Sequence, residues 1–355
     1  MSEASPTPAT IDEERVPIYA HIEPTTVCNL NCGSCPRLEF VRKTGDGKVA
    51  TIACERLERL LVHFPALEEV KFQGLGEPFL AHNMVELAET LNQRMNDGRI
   101  VMITSAAWPE RVDVRGILAN VDHLYVSVDG PDRNTFEAAR PPAKFNQVIS
   151  NVLRIMREKP AKTKVSINCC FSTDSYEYLH SIVILAKALG ITSVRFNLLQ
   201  NWTSEAQLDL VRKVRHEQVR GKMLTSADIA PLVEEVKYTY DLAGRLGIDA
   251  TVVGNPDFQI SECKWGHEMV YVTVRGDLLP CSMRCDPRNA LGNLFESSFE
   301  EIRRGPRMQA FLGQKRSDRP PDMCRDCPYV LNKKVLTAIR EGTKRETRND
   351  HLLHL

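Results

Sequence analysis

The stretch Glu23-Pro-Thr-Thr-Val-Cys28-Asn-Leu-Asn-Cys32-Gly-Ser-Cys35 sets three cysteines at the spacing C-x3-C-x2-C, just after a β-rich run at 18–23. The residues between them, Asn29, Asn31, Gly33 and Ser34, are loop formers, which argues against three cysteines packed as small hydrophobes. Three thiolates on one loop can hold three irons of a [4Fe–4S] cluster and leave the fourth iron open to a substrate or cofactor. A structural zinc site wants four ligands, and the loop offers no fourth Cys or His.

Outward from this loop, strand-like runs alternate with helical ones. The β-rich runs are 18–23, 69–73, 100–104, 124–129, 164–170 and 194–199. Segments of helical periodicity at 55–63, 84–94, 145–158, 176–189 and 227–246 separate or follow them, and a short run at 249–253 comes after. Such alternation gives a parallel sheet wrapped by helices. Six units fit an open, partial (β/α)6 barrel in the α/β class better than a closed eight-fold one. The connection 201–226 is long and charged and reads as a helical insertion or a lid. No repeat recurs at a fixed period.

After Pro256 the pattern changes. Residues 271–274, Arg275-Gly276-Asp277 and 278–279 read as a β-hairpin, and 299–311 as a short helix. The chain therefore divides into a loose tail at 1–16, a barrel at 17–258, a small domain at 259–330, and a helix with a polar tail at 331–355.

Further residues carry chemistry. Gln73-Gly74-Leu75-Gly76-Glu77-Pro78 ends the second strand, where glycine permits close backbone approach. Thr104 and Ser105 end the third. On the fourth, period two puts Ser127 and Asp129 on one face, although turn chemistry before Gly130 also explains them; Phe136 and Arg140 follow. Cys263, Cys281, Cys324 and Cys327 could close a second [4Fe–4S] cluster or a zinc site. Cys170 shares a strand face with Ser166 and Asn168, and Arg195 shares one with Asn197. Cys170 and Cys285 could each be a thiol facing substrate or an inert buried residue. Arg195 could touch the substrate's polar groups or sit in a salt bridge.

The cysteine loop and the segments after it resemble the radical S-adenosylmethionine (SAM) superfamily. The resemblance implies that Cys28, Cys32 and Cys35 ligate a [4Fe–4S] cluster and that the backbone of the segment holding Gly74, Gly76 and Glu77 approaches the SAM amino group. It also implies SAM contacts from Thr104, Ser127, Asp129 and Arg140. The sequence departs from the family at Thr104-Ser105-Ala106-Ala107, where relatives often have Thr-Asn-Gly, and at Ser34, where a large apolar residue is common. The spacing Cys263-x12-Gly276-x4-Cys281, with Cys324 and Cys327, resembles the SPASM/Twitch extension. Since no cysteine follows Cys327, it looks like the Twitch form with one auxiliary [4Fe–4S] cluster.

Over 17–330 the chain looks most like the family of 2-deoxy-scyllo-inosamine dehydrogenase and related aminoglycoside-pathway enzymes. That implies a radical SAM oxidoreductase of natural-product biosynthesis acting on a carbinol C–H of a sugar or aminocyclitol. The outcome is a ketone, or an epimer if Cys285 or, second, Cys170 returns a hydrogen. A flavodoxin- or ferredoxin-type electron donor is implied as well. The rival enzyme reading is a maturase of ribosomal peptides; the non-enzymatic one is an iron–sulfur electron carrier.

Composition bounds the rest. Lys plus Arg and Asp plus Glu are both 46 among 355 residues, so no excess positive charge points to nucleic acid. No run reaches the roughly 18 apolar residues of a membrane span. The acidic, Pro/Ser/Thr-rich start has no apolar signal core, and eleven clustered cysteines without a secretion signal point to a cytoplasmic protein with metal or redox chemistry.

Overall fold

The structure is a computed structural model. It describes residues 16–37, 40–41, 48–95, 97–200, 217, 219–325, 327–345 and 347. Most of the 1–16 tail, 201–216 of the charged connection and the last residues lie outside that set.

Seven strands run in parallel, each hydrogen-bonded to the next: β1 (Tyr19–Ile22), β2 (Glu69–Phe72), β3 (Arg99–Thr104), β4 (His123–Ser127), β5 (Lys164–Phe171), β6 (Ser193–Leu198) and β7 (Asp249–Val252). Helices α1 (Cys54–Leu61), α2 (Met84–Arg94), α3 (Val114–Leu118), α4 (Arg133–Ala139), α5 (Phe145–Glu158), α6 (Leu179–Ala188) and α7 (Ile229–Leu246) fall between them. The six-unit α/β reading holds, with β7 added as a seventh parallel strand.

The hairpin strands β8 (Met269–Val272) and β9 (Asp277–Leu279), with β10 (Gly292–Asn293), do not form a separate sheet. β8 pairs in parallel with the other side of β1, and β9 and β10 extend it antiparallel, so the order is β10-β9-β8-β1-β2-β3-β4-β5-β6-β7. The boundary expected near 258 falls where the chain passes from one end of the parallel array to the other. The hairpin turns at Gly276, whose φ of 88° suits glycine. A side chain there would also strike Phe295.

The helix expected at 299–311 is two helices, α8 (Phe299–Arg304) and α9 (Pro306–Lys315). Pro306 lacks the amide a continuing helix needs and pushes Gly305 into an extended conformation. A reciprocal Ser298–Glu301 cap starts α8. Short helices α10 (Asp322–Arg325) and α11 (Pro328–Leu331) precede α12 (Lys333–Thr343), which packs back on α7.

Strand alternation gives the sheet two characters. Ala20, Val70, Met102, Val126, Ile167 and Phe196 face the helices in a continuous apolar core. His21, Lys71, Tyr125, Ser166 and Arg195 take the opposite, inner face. No helix among the described residues is long and apolar enough to cross a membrane.

Candidate active site

The cysteine loop leaves the carboxyl end of β1 and is braced from three sides. Asn29 Nδ2 donates to the Ala107 carbonyl at 2.5 Å, and Asn31 N to the Pro141 carbonyl at 2.7 Å. Buried Arg37 donates to the carbonyls of Thr26 and Leu30 at 3.4 and 3.3 Å. Cys28, Cys32 and Cys35 are partly buried, and no cysteine is in a disulfide. Burial pushes the Cys28 thiol up to about 11; it also raises Cys32, with the charge of Arg140 opposing it. The Leu30 amide points at Cys28 Sγ, 3.5 Å away. Among the described residues no three Cys, His, Asp or Glu side chains gather tightly enough for a single metal ion. A four-iron cluster instead spreads its thiolates over separate irons, and a braced loop with an amide aimed at sulfur fits that group.

The glycine-rich segment locks onto this loop. A Cβ on Gly76 would stand 2.1 Å from the Thr25 carbonyl oxygen, and one on Gly74 would stand 2.4 Å from Glu23 Cγ. Glu77 N donates to Val27 O at 2.8 Å. The buried Glu23 carboxylate takes the amide of Leu75 at 2.6 Å and that of Val274 at 3.2 Å, tying the segment to the β8–β9 hairpin. Burial lifts Glu23 to about 7.

The side chains of Glu77 and Thr104 face each other and the loop after β3, so the SAM contact expected of this segment falls to its backbone. The Glu77 carboxylate is buried and occupied by four protein donors: Thr104 Oγ1 at 2.6 Å, Ser105 N and Oγ at 2.7 Å each, and Phe79 N at 3.2 Å. Thr104 Oγ1 in turn takes Ala106 N and Trp108 Nε1. Both side chains spend their oxygens on positioning the loops. Ala106 sits at φ 53°, a conformation that favours glycine, so the departure from Thr-Asn-Gly leaves the backbone bend in place.

Asp129 lies just past β4 and is bonded on both oxygens, to Arg140 Nε and to the Cys170 amide, at 2.7 Å each. The pair stands beside Cys32, whose thiol responds to both charges. Ser127 is buried and level with Asn168 on β5. On the inner face Asn197 Nδ2 donates to Asn168 Oδ1 at 2.9 Å, and Cys170 and Asn197 are register partners. Arg195, two residues below Asn197, lies over the Tyr125 ring at 4.5 Å. It lines a cavity of about 850 Å³ with Lys71, Arg99, His123, Tyr125 and Lys164. Sequence reading missed Lys71, His123 and Tyr125. Their signal was the same period two that found Arg195, applied to strands one to four.

Cys263, Cys281, Cys324 and Cys327, far apart in sequence, line one small apolar cavity with Trp265, Phe311 and Lys315. Burial pushes Cys281 up to about 12 and raises Cys324 and Cys327. Buried Lys315 Nζ donates to the carbonyls of Cys263 and Trp265 at 2.6 and 2.7 Å. Four converging thiols with a buried cation fit an anionic iron–sulfur cluster. His267 is hydrogen-bonded to the Cys263 carbonyl. Cys54 opens α1 and Cys169 faces the helix-packed core. Cys285 is 4% exposed among Tyr271, Trp265 and Leu279, with Cys35 and Cys281 both close enough to raise its thiol beyond what burial does.

Residues 22–186 match the radical SAM superfamily, and 263–328 match an iron–sulfur cluster-binding domain, SPASM. GTP 3′,8-cyclase of Actinobacillus pleuropneumoniae is 26% identical over 155 residues, 43% of this chain, and the match spans 45% of that relative's length. Two solved structures share the fold. One is SuiB of Streptococcus suis bound to precursor peptide SuiA, with a TM-score of 0.64, 18% identity, 85% of this chain and 67% of that one. The other is anSMEcpe with bound AdoMet, with a TM-score of 0.65, 15% identity, 92% of this chain and 97% of that one. The chain thus carries a region matching radical SAM domains followed by one matching a SPASM iron–sulfur domain, and these two domains imply a [4Fe–4S] cluster, SAM and additional iron–sulfur as cofactors.

Proposed function

We propose that this enzyme removes hydrogen from a carbinol C–H of a sugar-type small molecule held on the inner face of the sheet. The observation that carries the reading is the row of polar inner-face residues on β5 and β6, Asn168, Cys170, Asn197 and Arg195, of which Cys170 is hydrogen-bonded through its amide to Asp129 at the cysteine-loop corner and Arg195 lines the 850 Å³ cavity. Cys28, Cys32 and Cys35 would hold the first cluster, and Cys263, Cys281, Cys324 and Cys327 the second. Bound there with SAM, the first would supply radical chemistry able to take a hydrogen atom from an unactivated carbon.

The chain's own residues do the rest. Gly74 and Gly76 let the second-strand loop lie against the cysteine loop, and Glu77 with Thr104 fixes its height. Asp129 and Arg140 hold each other at the rim, leaving Arg140 nitrogens and the Ser127 hydroxyl to meet SAM. Asn168 and Asn197 offer amide groups to substrate hydroxyls. The preferred outcome is dehydrogenation to a ketone, with epimerisation as the alternative if a thiol returns a hydrogen. A small flavodoxin- or ferredoxin-type protein is the electron donor in this scheme. Peptide modification is the rival, and the solved SuiB complex with its precursor peptide is the reason to test it.

The experiment is anaerobic reconstitution followed by reduction with SAM present. About eight irons per chain are expected. Replacing Cys28, Cys32 and Cys35 by Ala should leave about four and abolish 5′-deoxyadenosine formation. Cleavage of SAM by that triple variant would sink the assignment of the first site.

A further inference from the structure

We propose that the inner cavity is an anion site that anchors its substrate through a phosphate or pyrophosphate group; this rests on the radical SAM reading above and narrows the substrate class to phosphorylated small molecules.

The chain as a whole is neutral, with 46 basic and 46 acidic residues. The cavity wall is not. Lys71, Arg99, Lys159, Lys162, Lys164 and Arg195 line it, against the carboxylates of Glu69, Asp122 and Asp249. Two of those carboxylates already stand near a wall cation, Glu69 at 3.6 Å from Arg99 and Asp122 at 3.9 Å from Lys162. The local excess of positive charge is therefore built by the placement of residues and not by composition.

Two of the cations are inside the fold. Lys71 and Arg195 are 6% and 7% exposed. Their heads lie over the same Tyr125 ring, at 5.3 and 4.5 Å from its centroid. The shared ring sets both cationic heads toward one space, where an anion can meet the two together. His123 stacks on Tyr125 at 4.2 Å between centroids and shares a 2.8 Å hydrogen bond with Ser166. Burial, then Arg195, Arg99, Lys71 and Lys164, lower its ring to about 3, which registers how many cations point into this space. Neutral His123 and the Ser166 hydroxyl supply hydrogen bonds that need no further charge.

Position fits the chemistry. Tyr19, Glu69, Arg99, His123, Lys164, Ser193 and Asp249 each open a parallel strand, so the cavity sits at the amino end of the sheet. The cysteine loop leaves from the carboxyl end. Arg195 lies two residues, about 7 Å, from Asn197, the register partner of Cys170. A phosphate on Lys71 and Arg195 would direct the sugar carbons toward Cys170. At about 850 Å³ the cavity takes a molecule the size of a nucleoside diphosphate sugar. The ammonium group of an aminocyclitol would be repelled by this wall, so a phosphorylated sugar is favoured over the aminocyclitol.

The test is calorimetric binding to the reconstituted holoprotein of inorganic pyrophosphate, a nucleoside diphosphate sugar, citrate and an uncharged cyclitol. Pyrophosphate and the nucleotide sugar should bind, more weakly as salt rises. Lys71→Gln and Arg195→Gln should each weaken pyrophosphate tenfold or more, while Lys71→Arg and Arg195→Lys recover much of it. Lys144→Gln, outside the cavity, should change nothing. Iron content and far-UV circular dichroism of the Gln variants identify any that fail to fold, and the charge-preserving variants then decide. No pyrophosphate binding, equal binding by folded Gln variants, or citrate matching pyrophosphate overturns the phosphate assignment. SAM cleavage by wild-type protein is measured alongside. Its absence overturns the radical SAM reading, whereas cleavage without anion binding overturns only this inference.

Discussion

Thr104 gives its hydroxyl hydrogen to Glu77 at 2.6 Å, so two residues that sequence motifs set beside a cofactor are held by each other. The same threonine oxygen takes Ala106 N and the Trp108 indole, which makes it the hub of the turn after β3. Thr104→Val keeps the shape and removes the hub. It should lower the free energy of unfolding by about 1–3 kcal/mol, since buried polar groups lose partners. Denaturant unfolding measures this, and a change within a few tenths would mean that the turn is held elsewhere.

Gly76→Ala tests the clamp between the glycine-rich segment and the cysteine loop. Its Cβ would meet the Thr25 carbonyl oxygen at 2.1 Å and that of Val27 at 2.9 Å, and neither is a flexible side-chain end. Overpacking of this kind costs about 1–3 kcal/mol. Because the displaced atoms belong to the cysteine loop, iron retention at the first site should fall more than global stability. Equal iron content in variant and wild type would show that the loop yields freely.

The parts of this architecture legible in the sequence are those set by short-range rules. Period two on Val126 against Ser127, and on Cys169 against Cys170, separates helix-facing from inner residues, and the strands obey it. The cysteine loop was legible because Asn29, Asn31 and Gly33 cannot form a core. What escaped depends on partners distant in the chain. That β8 docks beside β1, with Glu23 reaching Val274, 251 residues away, joins segments far apart in the chain, and no local pattern announces it. That Glu77 is satisfied internally depends on Thr104 and Ser105, on another strand. The cationic cavity needs side chains from β2 to β6 on one face, which only the pairing of distant strands supplies.

Glu23 gives stability a defined pH dependence. Its carboxyl is raised from 4.5 to about 7, first by burial; Leu75, Val274 and Tyr271 oppose the rise by hydrogen bonding, and Asp277 adds to it. Between those values the folded protein holds a proton that the unfolded chain has lost. Stability therefore falls as pH rises from about 4.5 to 7 and levels off above, by about 3 kcal/mol for this group alone. Glu23→Gln should remove that decline, so the difference between the two proteins' unfolding profiles changes between about pH 4.5 and 7 and is flat on either side. A parallel pair of profiles across the whole range would show that Glu23 titrates normally.

The fate of the substrate radical separates the two outcomes, and two thiols decide it. Dehydrogenation of a carbinol radical releases one electron and one proton and needs no hydrogen donor. Cys170→Ala and Cys285→Ala should then both make ketone, with no solvent deuterium on carbon. Epimerisation needs one hydrogen atom from a thiol, leaving a sulfur radical to be restored by one electron and one proton. The spare cysteines are not equivalent for that task. Cys285 is 4% exposed behind Tyr271 and Trp265, whereas Cys170 is partly exposed at the inner end of β5, beside Asn197. A donor must touch the carbon it quenches, so Cys170 takes precedence despite the nearness of Cys285 to Cys281. In deuterium oxide an epimerase would place one deuterium on the inverted carbon, and Cys170→Ala would still form 5′-deoxyadenosine but no epimer. If Cys285→Ala gave that result instead, the inner-wall argument for Cys170 would fail. Ketone formation by both variants, with carbon free of deuterium, is the result expected here.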